Sequence, residues 1–183
     1  MIEAGEFRAT LRTPELIQLF DYWQTIRGGR LMPRWSDIRP EEIAPVLPRV
    51  WAWRVTVDGD LQLRLVGEKI LEVLRRNVRG QAPEDLYPAD EAADIRHRLL
   101  KVAQLPTCSV TSGDIFDAGE KVGTGERLAL PYADVHGGLG IIGASKAKLN
   151  PDPATGIEMP FKPKALYTLV GTEYYMKIDG EAG

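Results

Sequence analysis

VWAWRVTVDGDLQLRLVG, Val50 to Gly67, is the stretch on which the fold turns. Two apolar-rich runs flank Asp58-Gly59-Asp60, a turn signal between alternating residues, so the stretch reads as a β-hairpin. A two-residue Asp-Gly turn pairs Val57 with Asp60 and Trp53 with Arg64, which mixes apolar and polar partners on both faces. A three-residue loop pairs Val57 with Leu61, Val55 with Leu63 and Trp53 with Leu65, and gathers the large apolar side chains on one face. A one-residue slip turns every side chain over, so the pattern favours the second register. That register sets Arg54 opposite Arg64. Two guanidinium groups side by side repel, and the face carrying them is expected to hold a carboxylate, a bound anion or water. One face of the hairpin is therefore core and the other charged.

On the N-terminal side, Thr13-Pro14-Glu15 reads as a helix start, with a hydroxyl cap, a proline where no amide donor is needed and an acid near the positive end. Leu16, Leu19, Phe20, Trp23 and Ile26 follow at helical spacing, and Gly28-Gly29 ends the run. A short helix is expected from Pro40, stopped by Pro48. On the C-terminal side, Glu68 to Arg75 has helical spacing, and a longer helix runs from about Ala89 to Gln104 with Ala92, Ile95, Leu99 and Val102 on one face. Three strand-like runs come next, Thr107 to Ile115, Glu126 to Val135 and Leu139 to Ala147, separated by the glycine-rich AGEKVGTG and HGG; Gly123-Thr124-Gly125 reads as a hairpin turn. The stretch from Asn150 to Lys164 thins to a proline-rich linker, and ALYTLVGTEYYMKI reads as a strand or a docked tail.

The 183 residues suit one ordinary domain, with 44% hydrophobic side chains to bury. A net charge of -3 argues against a chain built to coat nucleic acid or an anionic membrane. The triplet Arg75, Arg76 and Arg79 is a possible local contact point. One cysteine, Cys108, provides neither a disulfide framework nor a cysteine-rich zinc site, which suits the cytoplasm. The start MIEAGEFRATLR lacks a signal-peptide apolar run, and nowhere is there an apolar stretch long enough to span a membrane.

Two strands, a run of helices, then three strands is the order of a PAS domain. YWQTIRGGRLMPRWSDIRPEEIAPVLPRVWAWRV, then LRLVGEKI, Val78 to Gly80, and LALPYADVHGGLGIIGA resemble a stand-alone PAS-like family of proteobacteria, over roughly residues 13 to 147. The resemblance implies an α+β fold. Its parts would be a five-stranded antiparallel sheet with helices on one face, a small pocket, and an N-terminal amphipathic helix packed on the sheet or on a second subunit. Residues 1–12 form an N-terminal arm, 13–148 the PAS-like domain and 149–183 a C-terminal extension. Such domains sense small molecules or mediate protein contacts. The tail of about 35 residues is too short to form an effector domain, so the signal is expected to leave through a separate signalling protein.

The candidate ligand pocket comprises Trp53, Arg54, Arg64, Leu65, Ile70, Leu74, Cys108 and Tyr132, with the arginines as an anion clamp. Trp51 and Trp53 read first as core, which is compatible with lining a pocket. The candidate dimer or partner surface is Leu16, Leu19, Phe20, Trp23 and Ile26, and Trp23→Asp is expected to disrupt that helix. Nothing in the sequence requires haem or flavin. His97 reads as solvent-facing between Arg96 and Arg98, His136 sits in a His-Gly-Gly turn, and Val78 stands where photosensory PAS domains carry their reactive cysteine. No nucleophile elbow, phosphate loop or spaced metal-ligand set appears. Unrecognised chemistry around His136, Asp134 and Cys108 is the remote alternative. The expectation is a cytoplasmic, homodimeric, non-enzymatic sensor or adaptor, or else a ligand-free dimerisation module.

Overall fold

The computed structural model describes residues 1–74, 77–117, 120–151 and 169–180. Arg75, Arg76, most of the proline-rich segment and the side chains of Leu74 and His136 lie outside the described residues. Two helices come first, α1 (Ala4–Thr10) and α2 (Pro14–Arg27). Strands β1 (Val50–Val55) and β2 (Leu61–Val66) precede helices α3 (Glu68–Leu74), α4 (Pro83–Leu86) and α5 (Ala89–Gln104). Strands β3 (Thr107–Asp117), β4 (Glu120–Ala133), β5 (Leu139–Leu149) and β6 (Leu169–Lys177) complete the α+β fold. They form one antiparallel sheet in the order β2-β1-β5-β4-β3-β6. The sixth strand is the run that read as a strand or a docked tail; it pairs with β3 from Thr107↔Lys177 to Ile115↔Leu169. The helix expected from Pro40 is instead two 3-10 turns, Pro40–Ile43 and Leu47–Arg49.

Next to the turn the β1-β2 hairpin takes neither register derived from the sequence, and beyond a bulge it runs in the register of the two-residue turn. Val55 pairs with Leu61, Arg54 with Gln62 and Trp53 with Leu63, and a bulge then shifts the ladder so that Ala52 meets Leu65 and Trp51 meets Val66. Thr56 and Asp60 close the loop: the Thr56 N–H donates to the Asp60 carbonyl at 2.7 Å, and the Asp60 N–H to Thr56 Oγ1 at 3.1 Å. Gly59, at φ 84°, supplies the left-handed residue this loop needs. Val57 is thereby left out of the ladder, fully exposed at the loop. Arg54 does not oppose Arg64. It is exposed and donates to Gln62 Oε1 from Nε at 2.8 Å.

Nor is one face of the sheet charged. Both faces of β1 are buried: α5 covers one, and α1 and α2, the N-terminal helices that the resemblance allowed to pack on the sheet, cover the other. Val50 and Ala52 join Leu128, Leu130, Tyr132, Ile142 and Ala144 under α1 and α2. Trp51 and Trp53 join Leu61, Leu63, Ala129 and Ile141 under α5. The alternation of β1 thus feeds two cores. Gly123 and Gly125, read as a turn, lie inside β4 opposite Ile115 and Gly113. A Cβ on Gly125 would stand 2.7 Å from Leu169 Cδ2, so its bareness admits the C-terminal strand's leucine.

The start of α2 is tied to the sheet by charge. Thr13 makes no side-chain capping bond. Instead the buried Glu126 of β4 accepts the N–H of Arg12 at 3.0 Å and that of Thr13 at 2.9 Å. Glu15 pairs with Lys146 at 2.8 Å and Arg49 at 3.3 Å. The Lys146 hydrogen bond holds the Glu15 carboxyl below its usual range, as Arg8 does for Asp21 and Arg96 for Glu84. A carboxyl whose folded-state pKa is depressed contributes stability above its unfolded pKa and loses it as the pH falls through the folded one. Stability is therefore expected to decline from the ordinary values of 4.5 for Glu and 3.8 for Asp downward. Urea titrations in that window check this. Lys146→Met is expected to flatten the decline, and an unchanged slope would mean that Glu15 contributes nothing to it.

Candidate functional site

Between the α5 face of the sheet and α5 itself lies a cavity of about 40 Å³. One wall is aromatic, made by Trp51 and Trp53 of β1 and by Tyr87, with Ile95, Leu99 and Val102 of α5 opposite. Beside Ala129 and Leu169, the rest is polar: Ser109 and Thr111 of β3, Arg127 of β4, Glu173 of β6 and Arg98 of α5. The strand alternation places them. In β3, Cys108 and Val110 face α2 while Ser109 and Thr111 face the cavity; in β4, Leu128 and Leu130 face α2 while Arg127 and Ala129 face the cavity. Trp51 is held by its indole N–H, which donates to Ser145 Oγ at 2.9 Å, and Arg127 Nε donates to the same oxygen at 3.3 Å. Gly143 lies under that indole: a Cβ there would meet Trp51 Cζ2 at 2.3 Å.

Glu173 links the polar residues. Its carboxylate accepts from Thr111 Oγ1 at 3.4 Å and lies 3.8 Å from the Arg98 guanidinium, which also pairs with Asp94 at 2.7 Å. Beyond it, Lys101 Nζ stands 3.7 Å from the Tyr175 ring centroid. Burial, with the neighbouring Glu173 carboxylate, pushes the Tyr175 phenol upward, so it remains protonated at neutral pH. Arg98, between the Asp94 and Glu173 carboxylates, and Arg127 make this wall polar and charged.

Of the residues expected at a pocket, Trp53 lines the cavity. Cys108 and Tyr132 are fully buried on the opposite face of the sheet, where strand alternation points them toward α2, and Leu65 packs against that same core because the β1-β2 bulge turns it away from the face of Leu61 and Leu63. Ile70 packs at the margin of the α5-side core without lining the cavity. Arg54 is on the surface. Arg64 belongs to a separate cluster: it pairs with Asp134 at 2.8 Å, and its Cζ stands 4.0 Å above the Trp35 ring, which packs on Tyr132. Asp134 and Trp35 already satisfy the charge that read as an anion clamp. The Tyr132 hydroxyl donates to the Trp53 carbonyl at 3.1 Å, and burial raises its pKa to about 12. Burial also pushes the Cys108 thiol well up, which leaves it protonated and poorly nucleophilic.

The helix expected to present an apolar partner surface spends that surface on its own chain. Leu16, Leu19, Phe20 and Trp23 are at most 2% exposed, and the Trp23 indole donates to the Pro131 carbonyl at 2.8 Å. Ile26 is half-buried beside the Gly28-Gly29 turn and Gly180. His97 is exposed, as its neighbours suggested. Arg98, Arg127, Ser109, Thr111 and Glu173 were missed as site residues. The signal for Ser109, Thr111 and Arg127 was present as small or polar residues alternating with large apolar ones in buried strands, whereas Glu173 lies in the largely exposed β6 and had none. Arg98 had none, since charge on an amphipathic helix reads as solvated.

A six-stranded antiparallel sheet, helices between β2 and β3, and a cavity under the long helix agree with a family-model match, described as PAS domain, over residues 11–145. The chain belongs to the PAS domain family. No curated protein and no solved structure matches it. The PAS match ends before β6, so Leu169 and Glu173, two of the cavity's lining residues, come from outside the matched residues. The family assignment makes the chain a sensory or interaction module. Among the described residues no three His, Cys, Asp or Glu side chains gather as for a metal ion, and no helix is long and apolar enough to cross a membrane.

Proposed function

We propose that this PAS domain is a non-enzymatic sensor in the cytoplasm, which binds a small molecule in the cavity between the sheet and α5 and signals through protein contacts. The observation that carries the reading is the lining. An interior built only for packing is apolar, whereas this one turns Arg98, Arg127, Ser109, Thr111 and Glu173 toward three aromatic rings. Such a wall suits a ligand with an apolar part and a polar, hydrogen-bonding end. The size limits that ligand. A cavity of about 40 Å³ has room for a very few water-sized groups. A larger molecule enters only if α5 shifts, which breaks the contacts from Arg98 and Lys101 to β6. Because β6 also contacts the N-terminal arm through Ile2, that shift is a route by which occupancy reaches α1 and α2.

Native mass spectrometry of the chain purified from its own cells tests the proposal. The expected result is an added mass that is lost on denaturation and is missing from Ala129→Val, whose extra methyls enter the cavity. Wild-type chain at its bare mass favours the second reading, a ligand-free interaction module, for which the small cavity volume speaks.

A further inference from the structure

The two edges of the sheet differ. Along β2, Leu63 N–H donates to the Gln81 carbonyl at 2.9 Å and Gly80 N–H to the Leu63 carbonyl at 2.7 Å, so the chain covers its own edge. At the other edge, Ile2 N–H donates to the Tyr175 carbonyl at 3.0 Å and bridges Met176. That bond shows that Tyr175 turns its backbone polar groups outward. By strand alternation Glu173 and Gly171 do the same, while Thr172 and Tyr174 turn theirs to β3. Among the described residues nothing pairs with the outer edge from Leu169 to Tyr174.

Exposed edges in soluble proteins are usually blunted by lysine, proline or a bulge. Lys177 ends β6 beside the Ile2 bridge, but the open edge from Leu169 to Tyr174, LVGTEY, contains neither lysine nor proline, and its ladder with β3 runs without a shift. Its single charge, Glu173, is directed at Thr111 and Arg98 rather than at the edge. On the opposite face of the strand, Val170 is 60% exposed and Tyr174 39%. An unblunted strand with exposed apolar side chains is built to be paired.

We propose that β6 is a homodimer interface, pairing antiparallel with β6 of a second copy about a two-fold axis at Thr172. The register follows from the residues. With the axis there, Gly171 and Glu173 exchange backbone hydrogen bonds with Glu173 and Gly171 of the second copy. Val170 then lies against Tyr174 of the second copy in a non-hydrogen-bonded pair, where side chains come closest. An axis at Glu173 would oppose two carboxylates and run Val170 into the Met176 position that Ile2 covers. An axis at Gly171 would carry Tyr174 beyond β6 of the second copy, leaving it without its apolar partner. A two-fold contact of this kind is self-complementary and closes. The sheets join into one across the axis, and because β6 lines the cavity with Leu169 and Glu173, the interface lies against the site without depending on a ligand.

Analytical ultracentrifugation of the full chain over a concentration series tests this, using two variants at exposed positions. Wild type is expected to move from one to two chains of 20.3 kDa as concentration rises. Val170→Lys with Tyr174→Lys opposes like charges at both symmetry-related contacts and is expected to remain monomeric, with unchanged circular dichroism and melting. Val170→Lys with Tyr174→Glu opposes unlike charges and is expected to dimerise again. A wild type that stays monomeric to its solubility limit overturns the proposal. So does a Lys/Lys variant that dimerises like wild type, or a Lys/Glu variant that does not dimerise.

Discussion

Trp23→Ala is expected to destabilise the monomer by about 3–5 kcal/mol, the range for truncating a fully buried tryptophan. Trp23 is 1% exposed and sits in the core between α2 and the sheet. Its removal opens a cavity among Leu19, Phe20, Leu130 and their neighbours, and leaves the Pro131 carbonyl without the indole N–H it accepts at 2.8 Å. Against the roughly 5–15 kcal/mol that holds a domain of this size, that loss is severe. Urea denaturation at fixed concentration measures it. The sign matters for function as well as for folding. Were the aromatic face of α2 a partner surface, the truncation would change association and leave monomer stability nearly intact. A loss below about 1 kcal/mol would overturn the assignment of this face to the intramolecular core.

Glu126→Ala is expected to cost about 2–3 kcal/mol, since it removes a buried carboxylate that accepts two backbone N–H groups and leaves both donors without that partner. The effect should be local. Arg12 and Thr13 join α1 to α2, so amide exchange at the start of α2 is expected to rise well above that in the sheet centre. Glu126→Gln keeps one acceptor oxygen and should recover about half of the loss. If Glu126→Ala melts as wild type does, the carboxylate does not anchor the helix start. If exchange rises equally everywhere, the loss is global, and the entry to α2 is not a separate opening unit.

How far the site was legible in the sequence follows from what each residue's neighbours could show. Helix α5 was bounded correctly from apolar spacing and a following proline, because both signals are local. The strand order pointed to the PAS fold for a similar reason, since succession of elements is written along the chain. The hairpin register was not. Its strands were recognised and their face parity near the turn was kept, but Thr56 and Asp60 close a longer loop than composition suggested, and a bulge shifts the pairing beyond Trp53. The Arg54-Arg64 pairing failed with it. Arg64 finds Asp134, which is seventy residues away and has no sequence signature as its partner.

The same boundary separates what chain and fold each decided. Periodicity and breakers determined that α2 would be apolar on one side, β1 rich in tryptophan, and β3 and β4 alternating between apolar and polar residues, and the resemblance to PAS domains implied the α+β fold. These are properties of residues a few positions apart, where the backbone's own geometry does the comparing. Only the tertiary structure decided which surface covers which. It put α2 on its own sheet, buried both faces of β1, and took β6 from beyond the PAS match to complete the cavity with Leu169 and Glu173. Those outcomes depend on contacts between segments far apart in sequence. Buried area and charge pairing select among such contacts only once the whole chain has collapsed, and no local pattern encodes that competition.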